Sequence, residues 1–203
     1  GKVNVAKRTI TVSAGSYKVS KVYDKTLAAG TASGSLAVSG ILQGDDVSVS
    51  AIPGAYADPN VGGQAQMELP LTLEGDTLGN YVLADTRVAV PCEITPKPIE
   101  PVLEITGSYS YTGQAIIPAL TVTADGEVLR ASDYEAILSD NVNAGTAAVK
   151  VIPRNGGNYT WSSAVTGTFS ISKVDYPYAK TAELSARYGN EAVFDLASLL
   201  PEG

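Results

Sequence analysis

Histidine is absent from this chain of 203 residues, and cysteine occurs once, at Cys92. Without histidine, no Ser-His-Asp or Cys-His arrangement can be assembled, and the commonest zinc ligand is missing. A single cysteine excludes an internal disulfide framework, so stability has to come from packing. Positive charge is also scarce. Lys and Arg number 14 against 21 Asp and Glu, giving a net charge of −7 and an isoelectric point near 4.6. Such a surface repels phosphate backbones, so nucleic acid is not an expected partner. The one basic cluster, Lys2, Lys7 and Arg8, is too thin to form a binding stripe. No apolar run is long enough to cross a bilayer, and the first residues lack a basic-then-apolar signal. No membrane insertion is expected, and any export signal or anchor is expected outside this sequence.

The chain has enough apolar residues, 44%, to build a real core. They are interrupted by 20 glycines and 11 prolines, punctuation that suits many short strands. Period-2 alternation dominates. Met67, Leu69, Leu71 and Leu73 alternate with Glu68, Pro70, Thr72 and Glu74. The same pattern runs through Val47-Val49-Ala51, Val88-Val90-Cys92-Ile94, Leu120-Val122-Ala124, Tyr134-Ala136-Leu138, Ala147-Val149-Val151 and Phe169-Ile171. Each run is short and bounded by Gly, Asn, Asp or Pro, which predicts strands burying one face against a second sheet. Pro70 predicts an edge strand, where a missing donor does no harm. Helical spacing is rare, and one short turn is expected at Ala192–Leu200, capped by Asp195.

Landmarks recur in order. Tyr23-Asp24-Lys25-Thr26 matches Tyr111-Thr112-Gly113-Gln114, and Asp58-Pro59-Asn60-Val61-Gly62 matches Asp140 through Gly145. Gly79-Asn80-Tyr81 matches Gly157-Asn158-Tyr159. Strand-end junctions follow Val5, Ile94 and Ile171, spaced 89 and 77 residues apart. This order predicts an internal repeat. Residues 1–7 end a preceding strand or linker, 8–96 and 97–174 form two modules, and 175–203 begin a third. The predicted fold class is all-β, with tandem antiparallel β-sandwich modules.

The ordered set Lys21-Val22-Tyr23-Asp24-Lys25-Thr26, Gly44-Asp45-Asp46-Val47, Tyr56 through Gly62 and Gly79-Asn80-Tyr81 resembles the YDG repeat of bacterial surface proteins. That repeat occurs in filamentous haemagglutinin-like adhesins and usually carries glycine where Lys25 stands here. The second module, with Tyr111-Thr112-Gly113, Asp133-Tyr134 and Gly157-Asn158-Tyr159, resembles the related Tyr-Thr-Gly (MBG-like) repeats. The resemblance implies an immunoglobulin-like sandwich, tandem arrangement and display outside a bacterial cell. It supplies no ligand and no catalytic residue.

The residues themselves favour structural roles. Gly62 and Gly145 suit positive φ, and the neighbouring Asn and Asp side chains can bond their own backbone to close turns. Calcium is the competing reading for Asp58, Asn60, Asp140, Asn141 and Asn143, but no full calcium-loop pattern is present. Tyr81 and Tyr159 are expected to pack inward with the hydroxyl on a partner. Cys92 falls on the buried side of its run and reads as a core residue. Asp45 and Asp46 are adjacent and point to opposite faces, so they cannot flank one glycosidic bond. A Lys-to-Asn or Lys-to-Asp cross-link within a module is a further possibility. Tyr109, Tyr111, Trp161, Tyr176 and Tyr178 are the candidate contacts for an extracellular glycan or protein, with covering of the module ends as the plainer role. Trp161 is expected on the same strand face as Tyr159. The reading is therefore a non-catalytic, monomeric spacer or adhesive segment, with no catalytic, cofactor or metal residue.

Overall fold

A computed structural model describes residues 3–75, 77–175 and 188–189. The chain is all-β: seventeen strands and one 3-10 turn (Leu78–Asn80), with no α-helix among the described residues. The expected turn at 192–200 and most of 175–203 lie outside them.

The N-terminal half holds β1 (Arg8–Ser13), β2 (Lys18–Val22), β3 (Thr31–Ser33), β4 (Ala37–Ser39) and β5 (Ser48–Ala51). It continues with β6 (Gln66–Glu74), β7 (Tyr81–Leu83) and β8 (Arg87–Thr95). These form a five-stranded sheet in the order β3-β2-β8-β6-β5 and a three-stranded sheet in the order β4-β1-β7. The C-terminal half holds β9 (Lys97–Pro98), β10 (Val102–Thr106), β11 (Tyr109–Ser110), β12 (Ala119–Ala124) and β13 (Glu127–Val128). Then come β14 (Tyr134–Ser139), β15 (Gly145–Pro153), β16 (Tyr159–Thr160) and β17 (Val165–Ser172). Here the sheets are β11-β17-β15-β14, β10-β12-β13 and the pair β16-β9.

Alternation sets which side chains go inside. Met67, Leu69 and Leu71 of β6 are buried while Glu68, Pro70 and Thr72 face out. Val88, Val90, Cys92 and Ile94 do the same on β8. With Val19 and Tyr56 they form one hydrophobic cluster, against which Val12 of β1 and Leu83 of β7 pack. A second cluster gathers Ile99, Val122, Leu129, Val149, Val151, Tyr159, Phe169 and Ile171, with Leu103 and Ile105 of β10 against it. Gly167 lets that layer approach: a Cβ there would stand 2.8 Å from Ile105 Cδ1. Each fully buried Val or Leu side chain contributes about 1.5–3 kcal/mol. Ala136 departs from the expected pattern and stays exposed on β14, the edge of its sheet.

Pro70 needs a correction: β6 lies between β8 and β5, not at an edge. Leu71 N–H is donated to Thr86 O on the β8 side, so the imino nitrogen of Pro70 faces the β5 side. There the β5 ladder begins only at Leu71, paired with Ala51. Pro91 uses the same device, next to the point where the β2 ladder begins at Cys92. A proline is harmless wherever its blank donor position meets no partner.

Pairing is not wholly antiparallel. β1–β7, β2–β8, β9–β16 and β11–β17 are parallel, possible because dozens of residues separate the members of each pair. The two halves repeat these pairings in the same order. Tyr81 registers with Arg8 and Tyr159 with Lys97. After the other parallel pair, Tyr23 N–H donates to Thr95 O and Tyr111 N–H donates to Ser172 O, both at 2.9 Å.

Candidate functional site

Polar and aromatic side chains from both halves come together where the halves meet. From the N-terminal half comes the turn that follows β2. Asp24 Oδ1 accepts from Thr26 N–H and Thr26 Oγ1, both at 2.9 Å, and from Lys21 Nζ at 2.7 Å. These donors hold the Asp24 carboxyl down at about 2, Lys21 contributing most. Lys21 also donates to Thr26 O at 2.6 Å and lies 5.4 Å from the centre of the Tyr56 ring. The Tyr56 hydroxyl donates toward Val19 O and Glu93 O at 3.3 and 3.0 Å, tying β2 to β8. Lys25 stands at φ 68°, a left-handed conformation that side chains rarely adopt. Gly113 takes it at φ 75° in the matching turn.

The loop before β6 supplies the next contacts. Asp58 Oδ1 accepts from Asn60 N–H and Asn60 Nδ2, both at 2.8 Å, closing a turn on its own backbone as the sequence predicts. Gly62 and Gly145 sit at φ 72° and 144°. Asn60 Oδ1 then accepts from Asn158 Nδ2 at 2.9 Å, and Val61 N–H donates to Asn158 Oδ1 at 2.8 Å. One side-chain amide of the C-terminal half is thus gripped at both ends by the N-terminal half.

Beside it, Tyr23 and Tyr159 meet edge-to-face with ring centroids 5.4 Å apart, a geometry favoured by the ring quadrupoles. Tyr23 packs against both hydrophobic clusters, and burial followed by the Tyr159 neighbour raises its phenol pKa. Lys25 pairs with Glu127 across the junction; the hydrogen bond lowers the pKa of Glu127 and raises that of Lys25. Within the C-terminal half, Lys97 pairs with Asp125 at 2.7 Å. Tyr23, Lys25, Lys97, Asp125, Glu127 and Tyr159 line a cleft of about 420 Å³. Within it, Lys25 is paired with Glu127 and Lys97 with Asp125.

Of the sequence candidates, the described residues Tyr109, Tyr111 and Trp161 fall outside this cleft. Tyr109 stacks edge-on against Phe169 at 5.2 Å. Its hydroxyl donates to Thr106 O and accepts from Ala119 N–H, so it is a structural ring. Tyr111 is 43% exposed at the end of the β17 sheet. Trp161 lies just beyond β16 and packs, half-buried, against the C-terminal cluster, with its Nε1 buried and without a hydrogen-bond partner. Tyr176 and Tyr178 lie outside the described residues. The expected inward packing of Tyr81 and Tyr159 is present: both are buried. Tyr81 donates to Asp45 Oδ2 at 2.5 Å and accepts from Leu42 N–H at 3.1 Å. Asp45 is thereby committed, while the backbone carbonyl of Asp46 receives Thr77. Cys92 is buried, burial pushes its thiol pKa up, and its Sγ donates to Gln64 O.

The side chain of Lys21 is only 8% exposed and lies against Asp24. An Asp held as a carboxylate is a poor acceptor for amide formation, so this contact is an ion pair. What the sequence did not reveal is the Asn60–Asn158 bond across 98 residues. Asn60 reads as a local turn former and Asn158 only as part of the recurring Gly-Asn-Tyr landmark.

Neither a search of curated proteins nor a search of solved structures found a match. Residues 6–88 match the family model described as the YDG domain.

Proposed function

We propose that this chain is a non-catalytic spacer segment of a bacterial protein displayed outside the cell. In this reading, residues 8–96 and 97–174 are tandem immunoglobulin-like sandwich units that hold a binding region away from the surface. The observation that carries it is the junction. Between β8 and β9 stands only Pro96, and side chains from both halves interlock around it. A short connector containing proline, braced on both sides, favours an extended and stiff arrangement. Buried Cys92, the absence of histidine and the mutually paired charges of the cleft all suit a mechanical role. Small-angle scattering of the purified chain is expected to give the profile of a monomeric rod. A compact profile removes the reading.

A second reading is favoured by one observation, the exposure of Tyr111: the units themselves bind a host or environmental glycan or protein. A glycan and matrix-protein array separates the two. A pure spacer gives no specific hits, whereas binding lost in Tyr111→Ala supports the adhesive reading.

A further inference from the structure

We infer that the turn Tyr111–Gln114, at the far end of the C-terminal half, is a docking surface for a further unit of the same fold joined in the chain after β17. The inference rests on the spacer reading and names the surface that would extend it. It starts from what covers the equivalent turn. In the N-terminal half, the Tyr23 ring that opens this turn is seated against Tyr159 of the half that follows, and the loop carrying Asn60 and Val61 is held by Asn158. Tyr111 occupies the same place: each tyrosine donates its N–H to the last residue of a parallel partner strand, Thr95 or Ser172. Each is followed two residues later by a left-handed residue, Lys25 or Gly113. Asp58 and Asp140 open the adjoining loops, and the strand registers put Val142 in the place of Asn60.

The difference is cover. Tyr23 is packed against two cores, while Tyr111 and Val142 are 43% and 39% exposed. Two part-exposed apolar groups, one in each of the loops equivalent to those gripped at the first joint, are what a docked unit would bury. At the first joint the chain leaves β8 and enters β9 through a single residue, Pro96. A unit tethered equally closely to Ser172 would meet Tyr111 first. Its complementary face is the one this chain already displays twice: an Asn-Tyr pair beside a strand that begins with a basic residue, as at Asn80, Tyr81 and Arg8 or Asn158, Tyr159 and Lys97. Gly113 in place of Lys25 removes the ion-pair contribution, so this second joint would rest on the ring and the loop alone.

The test inserts a copy of residues 96–172 between Ser172 and Lys173 of the full chain. Spin labels at Thr72 and Thr168 report the first joint, and labels at Thr168 and its copy report the second. The expected result is a second distance distribution as narrow as the first, broadened by Tyr111→Ala alone, with the first broadened by Tyr23→Ala alone. A parallel insertion of residues 8–95 guards against a copy that does not fold. In each extended chain, hydroxyl-radical footprinting reads Tyr111, which is expected to lose at least threefold in reactivity in one or both. A broad second distribution with Tyr111 fully reactive in both extended chains overturns the inference, as does protection of Tyr111 that appears only with rising concentration of the unextended chain. The spacer reading fails separately, on the scattering profile and the array.

Discussion

Lys25, like Asp125 and Asp140, carries a side chain on left-handed backbone. Its left-handed conformation costs about 1–2 kcal/mol relative to glycine's freedom there, partly offset because glycine loses more entropy on folding. Its ammonium reaches Glu127 across the junction. Lys25→Gly is therefore expected to raise the stability of the N-terminal half by about 0.5–1 kcal/mol in urea unfolding, while widening the angular spread between halves in spin-label distances. Asp24 belongs to the same turn and answers to acid. Its pKa is lowered to about 2, so its contribution is complete above the ordinary aspartate value. It disappears as the pH falls through the folded value. The turn amide of Thr26 is expected to exchange faster below about pH 3, the range in which this linkage operates; unchanged exchange there would remove Asp24 as the turn's organiser. Intact mass is expected to equal the uncorrected chain mass, with no water or ammonia lost through Lys21.

At the scale of strands, the inside and outside faces of β6, β8, β15 and β17 were legible because alternation has a period of two and a one-residue slip would invert every side chain. What alternation does not encode is the neighbour. The parallel ladders β2–β8 and β11–β17 join segments more than sixty residues apart and leave no local mark. Pro70 misled for the same reason: the proline rule concerns the direction of one missing donor, and it was satisfied inside the sheet by the late start of β5. The candidate aromatics were legible as aromatics but not as inward or outward. Tyr109 and Tyr111 sit two apart, yet one ends on Phe169 and the other in solvent. Two substitutions test the strand-level packing. Leu69→Ala, in the centre of β6 and 1% exposed, is expected to cost about 2–5 kcal/mol. Gly167→Val, forcing β10 away from β17, is expected to cost about 1–3 kcal/mol through overpacking. Thermal melts of each variant measure both.

For the whole molecule, the junction decides behaviour. Asn158→Ala removes two hydrogen bonds across it, each worth about 1 kcal/mol, and is expected to leave both cores folded while freeing their relative orientation in relaxation measurements. The ion pair adds a dependence on pH with a definite sign. Glu127 has a lowered value, so its contribution is full above the ordinary glutamate range and lost as the pH falls through the folded value. Lys25 has a raised value, so its contribution is full below the ordinary lysine range and lost as the pH rises through the folded one. The joint is expected to be tightest across the broad middle range and to slacken in strong acid, in strong base and in high salt, since exposed pairs are screened. A spread of spin-label distances insensitive to all three would leave the tyrosines and asparagines as the whole joint.

Tyr23 gives this arrangement a thermodynamic reach beyond geometry. Because one ring completes two interiors, melting either of them strips a wall from the other, and neighbours so coupled fail together more sharply than independent beads. In a long array each internal member would be braced on two flanks and a terminal member on one. Erosion under heat or load would then begin at the extremities and travel inward.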